Sequence, residues 1–194
     1  MSGQAVQRMT PHLADTPVLE TERLILRAPG AQDWPVFRAM MASDRSRFIR
    51  RGDPDEGQAW RAFGHLIGHW VLRGWGNFAI TRKGDDTALG SVGPWCPAGW
   101  PEREIGWAIW SPEAEGRGYA HEAARAARGF AYDVLAWESA VSYIDPANAR
   151  SIALAERLGA TRDASAATPG DAPCLVYRHP SPDALADGGM EAYA

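Results

Sequence analysis

The sequence predicts an α+β fold in one domain, a mixed and mostly antiparallel central sheet with helices on both faces. Residues 77–110 break into three short runs of strand-forming residues separated by Gly- and Pro-rich turns, the pattern of an antiparallel meander. Two stretches with helical spacing precede the meander, and after it helix and strand alternate. Apolar residues make up 45% and charged residues 23% of the 194 residues, which is ordinary globular usage and enough for one sizeable core.

Residues 1–17 are polar and read as a flexible segment, Val18 to Pro180 as the domain, and residues 181–194, rich in Asp, Gly and Ala, as a disordered tail. Within the domain, Leu19 to Arg27 alternates Leu24 and Leu26 against Arg23, Ile25 and Arg27, which predicts a first strand ended by Pro29-Gly30. Ala31 to Ala42 spaces Trp34, Phe37 and Met41 as a helix does. Asp55 to Arg73 does the same with Trp60, Phe63, Ile67, Trp70 and Val71 on one stripe. Strands are expected over Asn77 to Arg82, Leu89 to Gly93 and Arg103 to Trp110. A helix follows over Gly118 to Leu135, its small-residue face carrying Ala120, Ala123, Ala124, Ala127, Phe130, Ala131 and Val134 with Arg125, Arg128 and Asp133 off it. Ser139 to Ile144 reads as a strand, Asp145 to Leu158 as a helix closed by Gly159, and Cys174 to His179 as a last strand.

A net charge of -4 gives no global attraction to nucleic acid or to an anionic membrane. No stretch approaches the roughly 18 apolar residues of a membrane span. The first residues lack the charged-then-apolar pattern of a signal peptide. Cys96 and Cys174 are the only cysteines and form neither a disulfide framework nor a C-x-x-C pair, so a reducing, cytoplasmic home is expected. His65 and His69 lie four apart on a helix without a third ligand, and no metal is expected.

The most informative segment is Glu104 to Glu122. A strand ends near Trp110, glycines turn the chain at Gly116 and Gly118, and a long helix opens directly. Several backbone N–H groups then point at one place, the helix N-terminus contributes about half a positive charge, and Arg117 adds a full one, which is the chemistry of an anion site for a phosphate or pyrophosphate. Neither G-x-x-x-x-G-K-[ST] nor a third glycine with a downstream acid is present, so this is not one of the nucleotide loops built on those patterns.

The segment Glu115-Gly116-Arg117-Gly118-Tyr119-Ala120 resembles motif A of the GNAT superfamily of N-acetyltransferases, [QR]-x-x-G-x-[GA], with Glu115 where Gln or Arg is usual. LETERLILR, EIGW, GRGYAHEA and DPANARSIALAERLGA, in that order over Val18 to Asp163, are similar to the RimJ/RimL-like branch of ribosomal-protein alanine N-acetyltransferases. The resemblance implies an enzyme that moves an acetyl group from acetyl-CoA to an amine by direct attack in a ternary complex, in a cleft where two central strands splay. It implies that the pyrophosphate sits on Gly116, Arg117, Gly118, Tyr119 and Ala120. The thioester carbonyl would lie on backbone N–H groups of Ala108, Ile109 and Trp110, the pantetheine arm on Asn148, and the sulfur near Ser151.

Asn148 and Ser151 are three apart and share one helix face. Asp145-Pro146 already supplies a cap and a first-turn proline, which leaves Asn148 without a capping duty. Glu104 falls on the strand face of Gly106 and Ala108, opposite Ile105, Trp107 and Ile109, and is the candidate base that takes a proton from the arriving ammonium. The alternative for Glu104 is a salt-bridged surface residue. Where many GNAT enzymes carry a tyrosine acid this chain has Ala155, so Ser151 or water is left to protonate the thiolate. The arginines at 45, 47, 50 and 51 can steer an acidic acceptor, although Asp44, Asp53, Asp55 and Glu56 dilute them. The acceptor can be a protein N-terminus or a small amine such as an aminoglycoside, the assembly a monomer or homodimer, and a non-catalytic acyl-CoA-binding module is the rival reading.

Overall fold

The computed structural model describes residues 13–50 and 52–187. Leu19–Glu20 (β1) and Leu24–Arg27 (β2) form an antiparallel hairpin with Leu19 opposite Leu26. The single strand expected over 19–27 is therefore two, because Thr21 turns the chain: its N–H donates to Leu24 O at 3.0 Å and its Oγ1 accepts the Leu24 N–H at 3.0 Å. A 3₁₀ turn at Ala31–Asp33 leads into Trp34–Met41 (α1). Arg27 donates to both oxygens of the buried Asp33 at 2.8 Å, which fixes that corner. Glu56–Arg73 (α2) opens on a capping box between Asp55 and Gln58 and stops at Gly74, whose φ of 78° is the left-handed conformation that glycine tolerates.

The meander follows as Phe78–Arg82 (β3), Asp85–Trp95 (β4) and Glu104–Ile109 (β5), with β4 longer than expected at both ends. The chain continues through Tyr119–Asp133 (α3), Val141–Ile144 (β6), Ala149–Arg157 (α4), Thr161–Arg162 (β7), Leu175–Arg178 (β8) and Pro182–Ala186 (α5). The short α5, capped by Ser181 Oγ, stands where a structureless tail was expected from residue 181. The expectations for residues 1–12 and 188–194 lie outside the described residues. Eight strands form one sheet in the order β1-β2-β3-β4-β5-β6-β8-β7, antiparallel at every junction except β5–β6.

The pleat gives each strand two faces. Leu24, Leu26, Phe78, Ile80 and Val92 pack on one face against Ala123, Ala124, Ala127 and Phe130 of α3, whose alanines let the helix lie close. Ala108 and Trp110 pack on the other against Phe37, Met40 and Met41 of α1 and Phe63 of α2. The helices thus cover both faces. Periodicity misplaced several side chains. Trp60 and Val71 are 56% and 68% exposed, because α2 buries the narrower stripe of Ala59, Phe63 and Trp70. Val134 lies past the last turn of α3 and is exposed. Arg128, expected off the packed face, is 3% exposed and donates to Leu158 O at 2.8 Å. Among the described residues no helix is long and apolar enough to cross a membrane.

Candidate active site at the opening between β5 and β6

The parallel strands β5 and β6 meet at one pair, Glu104 opposite Val141, and then diverge. A side chain replaces the next ladder bond: Ser142 Oγ donates to Ile105 O at 2.7 Å. Ser142 Oγ also lies 2.9 Å from His179 Nε2, and Arg128 Nη1 lies 3.4 Å from His179 Nδ1. Burial, with Arg128 adding to it, drops the His179 pKa to about 3, so the ring is neutral. An arginine facing Nδ1 assigns the single ring proton to Nε2, from which it is given to Ser142. The hydroxyl proton of Ser142 is committed to Ile105 O, so this serine and histidine form a wedge that holds the strands apart, and they do not form a nucleophile.

The opening is a pocket of about 100 Å³ bounded by Phe48, Glu104, Gly106, Trp107, Tyr143 and Ser151. Strand alternation puts Glu104 and Gly106 on the face of α1 and α2. Ile105 packs with Ala131 and Tyr132 of α3 on the opposite face, and Trp107 reaches α4 there, donating from Nε1 to Ser151 Oγ at 3.1 Å. The gap therefore connects the two faces of the sheet.

Glu104 is 9% exposed and has no cationic partner among the described residues. Its Oε2 accepts the Trp100 indole N–H at 2.8 Å. Burial pushes its pKa up to about 7 against the opposing pull of Trp100 and the Tyr143 backbone N–H. The alternative of a surface salt bridge does not describe it. Ser151 accepts from Trp107, which leaves its own proton free to donate toward the pocket.

Asn148 departs from expectation. It is the N-cap of α4, its Oδ1 accepting the Ser151 N–H at 3.2 Å, because Asp145 spends its carboxylate earlier on the Ala147 N–H. The cap uses only the carbonyl end of the amide, and Asn148 still lines the pocket with its donor end unpaired among the described residues. The backbone donors also need correction. Trp110 gives its N–H to Leu89 O at 2.8 Å, and by antiparallel alternation Ala108, opposite Ser91, also faces β4. Of the three expected donors only Ile109 faces the opening, and Trp107 joins it.

Gly116 and Gly118 adopt φ of 68° and 77° and deliver the chain into α3 without a side-chain cap. Among the described residues none of the N–H groups of residues 116–121 has a hydrogen-bond partner, so Gly116, Arg117, Gly118, Tyr119 and Ala120 carry free donors at a positive helix end. The back of the turn is held by Arg23, whose Nη1 donates to Arg117 O at 3.0 Å, whose Nε donates to Glu122 at 2.6 Å, and whose guanidinium lies over the Tyr119 ring. Its partners are 94 and 99 residues away, so no local signal marks it. Glu115, the departure from the motif, is neutralised by Arg45 at 2.6 Å and Arg150 at 3.0 Å.

The remaining candidates have structural duties. Arg45 is drawn into the Glu115 pair and toward Ile109 O and Ser111 O. Arg50 binds Ser46 Oγ and Asp53, Arg47 covers the Phe48 ring, and Arg51 lies outside the described residues. The arginine loop is thus a brace with few free charges. His69 is fixed between Trp75 O and the Cys96 N–H, and no group of three metal-ligating residues occurs among the described residues. Ala155 is fully buried with Ile144, Ala160 and Tyr177, so the tyrosine of other enzymes has no room here.

A family model for the acetyltransferase (GNAT) domain matches residues 23–161, more than half of the chain. An acetyltransferase from Agrobacterium tumefaciens str. C58 is 37% identical with a TM-score of 0.79, and the match covers 90% of this chain and 99% of that one. A GNAT-family acetyltransferase from Bacillus anthracis (22% identity, TM-score 0.67, 84% and 96% covered) and a GCN5-related N-acetyltransferase from Brucella melitensis (17%, 0.61, 88% and 80%) share the fold. With an open strand pair, an uncapped glycine turn and these matches together, the chain belongs to the GNAT acetyltransferase family and is an acyl-CoA-dependent acetyltransferase.

Proposed function

We propose that the protein transfers an acetyl group from acetyl-CoA directly to an amine, the coenzyme lying on the α3/α4 face and the amine entering from the α1/α2 face. The observation that carries this reading is Glu104, a buried carboxylate without a counter-ion among the described residues, at the point where the strands part. An isolated buried carboxylate costs stability, and a pKa near neutrality suits a general base.

The free N–H groups of residues 116–121 would hold the pyrophosphate with Arg117, and the donor end of Asn148 the pantetheine amides. The N–H groups of Trp107 and Ile109 suit the thioester carbonyl and the oxyanion formed from it. The amine nitrogen bonds to the carbonyl carbon, its proton passes to Glu104 directly or through water, and the C–S bond breaks. Ser151, resupplied by water, or water itself returns a proton to sulfur. Pairing of Glu115 with two arginines removes the main objection to an anion at this turn. The four sequence segments favour the RimJ/RimL-like branch, hence a protein N-terminus ahead of small amines as acceptor. Two unpaired cysteines favour a reducing compartment.

The test is CoA release, followed as free thiol, from acetyl-CoA with an alanine-initiated peptide, lysine, spermidine and an aminoglycoside. Steady release above hydrolysis is expected with at least one of them. Binding of acetyl-CoA with no release from any amine would overturn the reading.

A further inference from the structure

Asn77 precedes β3 on the α1/α2 face, and its carboxamide oxygen is buried without a hydrogen-bond partner among the described residues. The residue is 8% exposed, and a buried acceptor left unmatched is uncommon enough to need a reason. Its backbone is already anchored, since the Trp70 indole donates to Asn77 O at 2.9 Å. The side chain is therefore not needed to hold that bond.

Two glycines let this side chain reach the site. Gly93 on β4 stands opposite Gly106 on β5, and a methyl group on Gly93 would lie 3.3 Å from the Asn77 Cα. With no side chain on either strand, the carboxamide passes over β4 to β5. A methyl group on Gly106 would lie 3.4 Å from Glu104 Oε1 and 3.9 Å from Asn77 Oδ1, so both oxygens border one small space. Glu104 Oε2 accepts the Trp100 indole N–H, and Oε1 is the oxygen nearest Gly106.

We propose that Asn77 is an amine-positioning residue: its Oδ1 accepts one N–H of the acceptor while Glu104 Oε1 takes another as a proton, the two meeting over Gly106. The proposal rests on the acetyltransferase reading above and adds the group that aims the nitrogen. An arriving primary ammonium carries three N–H bonds. It first loses one of these through Glu104 to solvent and attacks as the neutral amine with two; as its nitrogen bonds to the thioester carbon one of the two goes to Glu104, and the other stays with Asn77 through the tetrahedral stage. A secondary amine has only one N–H left at that stage, which Glu104 removes, and the Asn77 oxygen is then unmatched. Asn77 thus favours primary amines in the transition state.

The test uses the best acceptor from the amine panel beside its N-methyl counterpart, for example a peptide beginning with alanine or with N-methylalanine. Asn77→Leu keeps the volume and removes the acceptor atom. Its kcat/KM for the primary amine should fall about 10- to 100-fold, the effect of one hydrogen bond to a charged group, with most of the loss in KM. Discrimination between primary and N-methyl amine should shrink together with it. The acetyl-CoA dissociation constant should be unchanged, and the melting temperature unchanged or higher, because an unmatched polar atom has been removed. A variant with unaltered acceptor KM and unaltered discrimination overturns the proposal. Should Asn77→Leu fail to fold, Gly106→Ala fills the same space from the other strand and is expected to raise the acceptor KM at unchanged acetyl-CoA affinity; an unchanged KM there overturns the proposal as well. Wild-type protein inert toward every amine would instead overturn the acetyl-transfer reading, and this proposal with it.

Discussion

On the α3/α4 side of the opening, the candidate ligand groups come from two short stretches, 116–121 and 148–151, and many of them are backbone N–H groups. On the α1/α2 side they are all side chains, brought from a loop at Phe48, the start of β3 at Asn77, a turn at Trp100, β5 at Glu104 and β6 at Tyr143. The first side is set by a local turn and one helix cap. The second exists only once the sheet has closed around it. A coenzyme always has the same phosphates and amides, which backbone can hold, whereas an acceptor is chosen by side chains whose exchange leaves the coenzyme side intact.

If the two sides are independent, substitutions should separate turnover from coenzyme affinity. The largest effect is expected from Glu104→Gln, with kcat falling 10²- to 10⁴-fold, the usual range for loss of a general base, and acetyl-CoA affinity unchanged. Higher pH should partly restore it, since the amine then deprotonates unaided. A parallel loss of acetyl-CoA binding would break the comparison. In the wild type, kcat/KM should rise with pH through about 7 as Glu104 loses its proton.

The same carboxylate gives a stability prediction of opposite sense. Its folded pKa is raised, so its contribution is fully present below the ordinary 4.5 and is lost as pH rises through about 7. At 1.36 kcal/mol per pH unit that is roughly 3 kcal/mol. Glu104→Gln should therefore melt higher than wild type at pH 8, with the gap closing toward pH 4.5; a variant that is less stable at pH 8 would mean that the charged form is well solvated.

On the other side, Gly118→Glu strains a left-handed residue and sets a carboxylate against Arg23, which holds the back of the anion-binding turn. Acetyl-CoA at 100 times its dissociation constant should stabilise the wild type by about 2.7 kcal/mol, and the variant by nothing, while the free variant stays folded. Ser142→Ala removes the wedge shared by both sides and leaves Ile105 O unmatched, for a loss of about 1–3 kcal/mol in urea denaturation. Unlike the other changes, it should impair acceptor and coenzyme together. The smallest effect is expected from Asn148→Asp, which keeps the cap and removes the donor end. Acetyl-CoA affinity should weaken about 2- to 10-fold with the melting temperature of the free protein unchanged, and a lower melting temperature with intact affinity would make Asn148 a cap alone.

The sequence determined what is short-range. The meander spacing, the alanine face of α3 and the Gly116–Gly118 turn follow from local propensities and from φ values that glycine tolerates, and these were legible. Glu104 was legible as a carboxylate beside small residues, by strand alternation alone. Its burial was not, because Trp100 and Tyr143 close over it through the β4–β5 turn and β6. The split of β1 from β2 was hidden because Thr21 and Arg23 are held by Glu122, about 100 residues on. The capping duty of Asn148 was missed because a competing cap at Asp145 turns out one turn early. Arg23, Asn77, Ser142 and the orientation of the β5 N–H groups depend on which strands become neighbours and where they part. That choice is made by packing both sheet faces at once, and no window of the sequence contains it.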